Sequence, residues 1–167
     1  AGVLYRRNGD ERLQVSGLAA GRHTIELLNE NMGRVNYGVH LHDPKGIDGV
    51  AVNDRYIFGW ENFPLPMEDL SPLTFGPYRA CGAPAFYAGS FEVDEPADTF
   101  LDVTGFGKGF AVVNGFNLGR FWPSEGPQKR LYVPAPVLRK GRNDIRLFES
   151  EGQSAPFVTL TDAPDLG

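Results

Sequence analysis

The residues best suited to chemistry crowd the stretch NENMGRVNYG, Asn29 to Gly38, where Asn29, Asn31, Arg34, Asn36 and Tyr37 follow the alternating run HTIELL. Amide and guanidinium groups beside a phenol can fork onto the hydroxyls of a small polar ligand. They can equally satisfy the backbone groups of a buried loop. A second cluster, GFNLGRFWP, gathers Asn117, Arg120 and Trp122, and Trp60, Tyr78 and Tyr87 are further aromatic platforms. A sugar site wants a ring for the apolar face of the pyranose and a few polar groups for its hydroxyls. Large aromatics in a β-sandwich more often anchor the core or a domain contact. The third cluster is HLHD: His40 and His42, two apart on an expected strand, face the same way and could hold Zn²⁺ with Asp43 or His23. Closely spaced strand histidines are more often exposed or hydrogen-bonded, so this metal site is a weak candidate.

The elements that must position these residues read as strands almost throughout. RLQV, HTIELL, GVHLH, GSFEV, DTFLDV, RLYV and NDIRLF put apolar side chains on alternate positions, as half-buried strands do. Within FAVV-NG-FNLGRF, Asn114 and Gly115 can take the positive φ angles of a type I′ turn and close a two-residue hairpin. Residues 63–84 carry many prolines and little alternation, which reads as a linker from which the following unit could recruit strands. PAPVL, Pro134 to Leu138, suits a single helical turn.

An internal repeat organises the chain further. LAAGRHTIELLNENMG, from Leu18, aligns with LRKGRNDIRLFESEG, from Leu138, pairing Gly21 with Gly141, Arg22 with Arg142, Ile25 with Ile145 and Leu27 with Leu147. A long run of strands and hairpins precedes the second copy, whereas only AGVLYRRNGDERLQV precedes the first. The expectation is all-β: an antiparallel β-sandwich over 85–167, preceded by an N-terminally incomplete sandwich over 1–62. A half-sandwich leaves its apolar face and strand edges uncovered, so the first unit is expected to need the second unit or another copy of the chain, possible as a homodimer.

Composition excludes several classes. A net charge of −5 over 167 residues opposes a protein built to track nucleic acid, which needs a basic face. Apolar runs such as FAVV and APAFYA are far shorter than the roughly 20 residues a membrane-spanning helix requires. Cys81 is the single cysteine, so no internal disulfide can form, and the compartment is left undecided. The chain opens at AGVLYRR without Met, which reads as a processed or excised product.

The strings ENMGRVNYG, KGI, PAFYAGSF, DTFLDVTGFGKGFAVVNGFNLGRFWP, GPQKRLYVPAPVL and KGRNDIRLFE resemble, in order and over nearly the whole chain, the C-terminal β-domains of glycoside hydrolase family 35 β-galactosidases. The resemblance implies a pair of galactose-binding-like jelly rolls that follow a catalytic (β/α)8 barrel. It also implies that Tyr37 reaches from the GRVNYG loop toward the barrel's sugar site, with Glu30, Arg34 and Asn36 as loop scaffold. Both catalytic glutamates of the family sit on the barrel, so no catalytic residue and no cofactor is assigned to this chain. In agreement, no spacing singles out the close carboxylate pair of a retaining glycosidase among Glu26, Glu30, Asp43, Asp48, Asp54, Glu61, Glu92, Asp94, Asp98, Asp102 and Glu149. The implied partners are the enzyme's own barrel and β-galactoside sugars. The alternative is a stand-alone, lectin-like module, with Asn117, Arg120, Trp122 and Trp60 as its sugar platform.

Overall fold

A computed structural model describes residues 2–31, 33, 36–42 and 44–167. The chain divides into two compact units, Ala1–Leu70 and Ser71–Gly167.

In the first unit the alternating stretches do not become sheet. Its regular elements among the described residues are a 3-10 turn, Arg6–Asn8, and the two-residue strands β1 (Ala51–Val52) and β2 (Arg55–Tyr56), which pair with each other. The expected strands RLQV and HTIELL form no regular element, and GVHLH is a succession of bends and turns. Period-two patterning selects a strand conformation but supplies no partner, and without a neighbouring strand the backbone forms no cross-strand hydrogen bonds. Large apolar side chains such as Leu13, Val15, Ile25, Leu27 and Leu28 are accordingly exposed.

The second unit follows its patterning. Its strands are β3 (Ala85–Val93), β4 (Thr99–Asp102), β5 (Gly109–Val113), β6 (Phe116–Phe121), β7 (Arg130–Val133), β8 (Gly141–Glu149) and β9 (Thr159–Thr161). They form two antiparallel sheets, ordered β3-β8-β5-β6 and β7-β4-β9. The fold is an all-β sandwich. Its core unites Leu101, Val103, Leu131 and Val133 from the smaller sheet's side with Ala111, Val113, Phe121, Ile145 and Leu147 from the larger. Along β8 the alternation is strict: Asn143, Ile145, Leu147 and Glu149 are buried, while Arg142, Asp144, Arg146 and Phe148 point to the other face. The 63–84 segment contributes no strand, and its end is tied to the sandwich by Tyr78, whose ring centroid lies 5.9 Å from that of Tyr87.

The hairpin turn forms as its sequence dictates. Asn114 has φ 49° and Gly115 φ 84°, both in the left-handed region a type I′ turn requires. The single turn at Ala135–Val137 is a 3-10 turn whose first backbone N–H, that of Ala135, donates to Asp98 Oδ1 at 2.8 Å. Two asparagines lock these pieces together. Asn114 Nδ2 donates to Val137 O and Asn143 Oδ1, and Asp144 N donates to Asn114 Oδ1. Asn143 Oδ1 also accepts from Arg139 N, and its amide donates to Arg139 O and Gly141 O. Every polar atom of the fully buried Asn143 side chain is therefore used, which is the condition for burying an amide without a desolvation penalty.

Candidate functional site

The loop singled out by sequence keeps its tip in solvent. Tyr37 is 87% exposed and heads a run of bends and turns through His42. The next residue, Gly38, has φ 88°, a conformation a β-carbon would strain, and Leu41 N donates to its carbonyl. On the loop's other side Asn31 Oδ1 accepts from Gly33 N at 3.2 Å, so this amide shapes the turn. Glu30 and Asn36 are exposed. Arg34 lies outside the described residues. Since tyrosine in a turn keeps one ring face and its hydroxyl available, Tyr37 can insert into a cleft that another surface presents and donate one hydrogen bond there.

His40 and His42 fall in that succession of turns, not on a strand, so the same-face argument that motivated a Zn²⁺ site does not apply to them. Asp43 lies outside the described residues, and His23 Nε2 donates to Ala19 O, 2.8 Å away. Among the described residues no group of three or more His, Cys, Asp or Glu side chains has metal-ligating geometry.

The GFNLGRFWP cluster is only partly assembled. Between Ala111 and Val112 the β5–β6 register shifts, so that Ala111 faces Gly119 and Val112 faces Asn117. The extra residue puts Asn117 and Arg120, three apart, on one face. Asn117 Oδ1 accepts from Gly119 N at 2.8 Å and so belongs to the bulge. Trp122 is half-buried, and the Lys108 ammonium sits 4.2 Å from its ring centroid. A cation over that face occupies the surface on which a sugar would stack. Trp60 donates from Nε1 to Ile57 O at 3.0 Å within the first unit. Tyr87 packs edge-on against Phe106, and Phe106 against Phe121, a chain that runs into the core. The cleft of about 440 Å³ beside Tyr87 and Phe91 is lined mainly by apolar groups, including Ile145, Leu147, Val158 and Leu160.

The carboxylates sort by what they touch. Asp102 accepts from Thr104 Oγ1 at 2.6 Å, Thr104 N at 2.9 Å and Arg130 Nε at 2.9 Å, and the Thr104 bond leads in holding its pKa below the usual range. Asp98 is held low by the Ala135 N–H and the Tyr132 hydroxyl, which in turn keeps Tyr132 high. Glu149, at the inner end of β8, is fully buried. Its oxygens accept from Gly107 N at 2.8 Å, Lys108 N at 3.2 Å and Glu151 N at 2.7 Å. Desolvation outweighs these donors and raises its pKa. A raised carboxyl pKa is a mark of a general acid, but a group sealed behind three backbone amides reaches no substrate. Sequence reasoning did not single out its burial. FESEG reads as a polar turn, and two of its donors come from residues 41 and 42 positions away.

With this geometry in place, comparison with known proteins is decisive. Residues 1–66 match the first all-β domain of β-galactosidases, and residues 84–143 match the β-galactosidase galactose-binding domain. The chain belongs to the β-galactosidase family. It is 42% identical to β-galactosidase 17 of Arabidopsis thaliana over 159 residues, covering 83% of the chain and 22% of that protein. With a β-galactosidase of Xanthomonas manihotis it shares 41% over 134 residues, 79% of the chain and 22% of the relative. The Homo sapiens β-galactosidase aligns over 99% of the chain and 28% of its own length at 37% identity. The chain thus spans between about a fifth and a third of the β-galactosidases it matches. The human alignment runs over 196 positions against 167 residues here, so that relative carries residues within the matched region that this chain lacks.

Proposed function

We propose that this chain is the C-terminal, non-catalytic β-region of a retaining β-galactosidase, which braces a (β/α)8 barrel and shapes the entrance to its galactose site through Tyr37. The observation that carries this is the pair of matches in order, first all-β domain then galactose-binding domain, on a chain far shorter than its relatives. The exposed Tyr37 on its glycine-bounded loop supports the finer role, because a free phenol at a loop tip is placed to complete a neighbour's pocket. The apolar surface left open on the first unit supports a packed partner. The catalytic carboxyl pair belongs to the barrel, and the isolated chain is expected to be silent.

Two measurements test this. In the full-length protein encoded by the gene, Tyr37→Phe should lower kcat/KM for a chromogenic β-galactoside about tenfold, the effect of one hydrogen bond worth about 1.4 kcal/mol. Turnover by the purified 167-residue chain would show that the catalytic pair lies within it. A lectin-like module would bind galactose or lactose without the barrel, and saturable heat at millimolar ligand would favour that alternative.

A further inference from the structure

β3 is an outer strand of the four-stranded sheet, and its free side is unprotected. It pairs with β8 from Ala85↔Glu149 to Val93↔Gly141 without a register shift, and among the described residues no further backbone hydrogen bond reaches it. Edge strands are usually blunted by a proline, a lysine, an inward charge, a bulge or shortness. AFYAGSFEV, nine residues long, has none of these. Its middle, Ala88, Gly89 and Ser90, is exposed and carries only small side chains, so a second backbone can approach to strand spacing there.

The edge is also complementary to itself. We infer that two copies of the chain join antiparallel through β3, about a two-fold axis at Gly89, merging their four-stranded sheets into one of eight strands. That register sets Ala88 against Ser90 and Tyr87 against Phe91, each pair occurring twice by symmetry. Tyr87 packs edge-on to Phe106 and Phe91 lies against the core, so on the inward face an aromatic pair forms at each end of the contact. On the outward face the charges match. Arg146 faces Ala88, and Glu92 faces Arg142, whose guanidinium turns instead to Asp144 at 3.4 Å. Among the described residues neither Arg146 nor Glu92 has an ion-pair partner. In the two-fold arrangement the partner subunit's Glu92 stands two strand spacings and two residues from Arg146, about 12 Å between Cα atoms. An arginine and a glutamate reaching over the small Ala88 close that span, and the axis makes the pair twice. The occupant selected is therefore a second copy, because one strand supplies both halves of every contact.

The test is sedimentation equilibrium of the 167-residue chain over about 1–500 µM, the range suited to an interface of modest area. A monomer–dimer equilibrium is expected. Glu92→Arg or Arg146→Glu should each raise the dimer Kd about tenfold or more, and the two together should restore it to within about threefold of the parent. Ser90→Lys, which sets two ammonium groups on diagonal sites about 7–8 Å apart, should abolish the dimer. Near-ultraviolet circular dichroism matching the parent identifies the variants that keep the sandwich. A monomer at every concentration overturns the inference. So does a dimer indifferent to all of these substitutions, which would form elsewhere, as through the first unit. Loss in both single variants without recovery in the double overturns the register. None of these results alters the proposed place of the chain in a β-galactosidase, which the assay of the full-length protein decides.

Discussion

At the scale of single residues, Glu149 and Asp102 impose opposite pH dependences on the second sandwich. Burial raises the Glu149 pKa above its unfolded value. Its contribution is therefore fully present below the usual glutamate range, near about 4.3, and fades as pH rises through the folded pKa. The Asp102 pKa is lowered, so its contribution is present above the usual aspartate range, near about 3.9, and is lost as pH falls through the folded value. Glu149→Gln should remove the first slope, so the stability difference between parent and variant shrinks in thermal melts as pH is raised from below the usual glutamate range through the raised folded pKa. Asp102→Asn should do the reverse, with the difference shrinking as the solution is acidified. Replacing Glu149 by Leu strands three backbone N–H groups and should cost about 1–3 kcal/mol or more at any pH. None of this was readable in the sequence. A glutamate in FESEG looks solvated until the fold brings Gly107 and Lys108 over it.

At the scale of elements, the Asn114–Asn143 lock and the close passage of Gly109 hold the sandwich in register. Asn143→Leu removes the Asn143 bonds of Arg139 N, Arg139 O and Gly141 O and one of the two acceptors of the Asn114 amide. A loss of about 3 kcal/mol is expected, read as a lower urea midpoint at unchanged slope. A β-carbon on Gly109 would fall on the carbonyl of Phe148, and Gly109→Ala should abolish folding of the second unit, seen as loss of its near-ultraviolet circular dichroism. Here sequence and structure agree closely. Asn114-Gly115 fixed a two-residue turn and strict alternation fixed β8, because both are local rules. The β6 bulge was less legible: GFNLGRF alternates only if Leu118 is counted as extra, and that depends on its pairing with β5.

At the scale of the molecule, the two units differ in what their patterning can achieve. HTIELL has the same periodicity as NDIRLF and aligns with it in the repeat, yet only the later copy is a strand. Gly141 and Gly21 both take positive φ, so the turn of the repeat survives where the ladder does not. The local conformation is written in the residues, and the partner strand is not. Limited proteolysis of the 167-residue chain should therefore clear residues 1–70 first and leave a resistant fragment beginning near Ser71. Retention of both units at equal rates would mean that the first unit is stabilised without a further partner. The expected divisions at 62 and 84 describe sequence character, while compactness divides the chain after Leu70.

The strand order also sets a timetable for synthesis. β8, near the end of the chain, lies between β3 and β5 and is hydrogen-bonded to both. On a ribosome the β5–β6 hairpin can close as soon as its turn emerges, because its contacts are local. β3 must wait unpaired until residues 141–149 have left the tunnel. A stop codon or frameshift between β3 and β8 would then release a chain whose nine-residue β3 has no strand to receive it, a substrate for aggregation or proteolysis instead of a smaller domain.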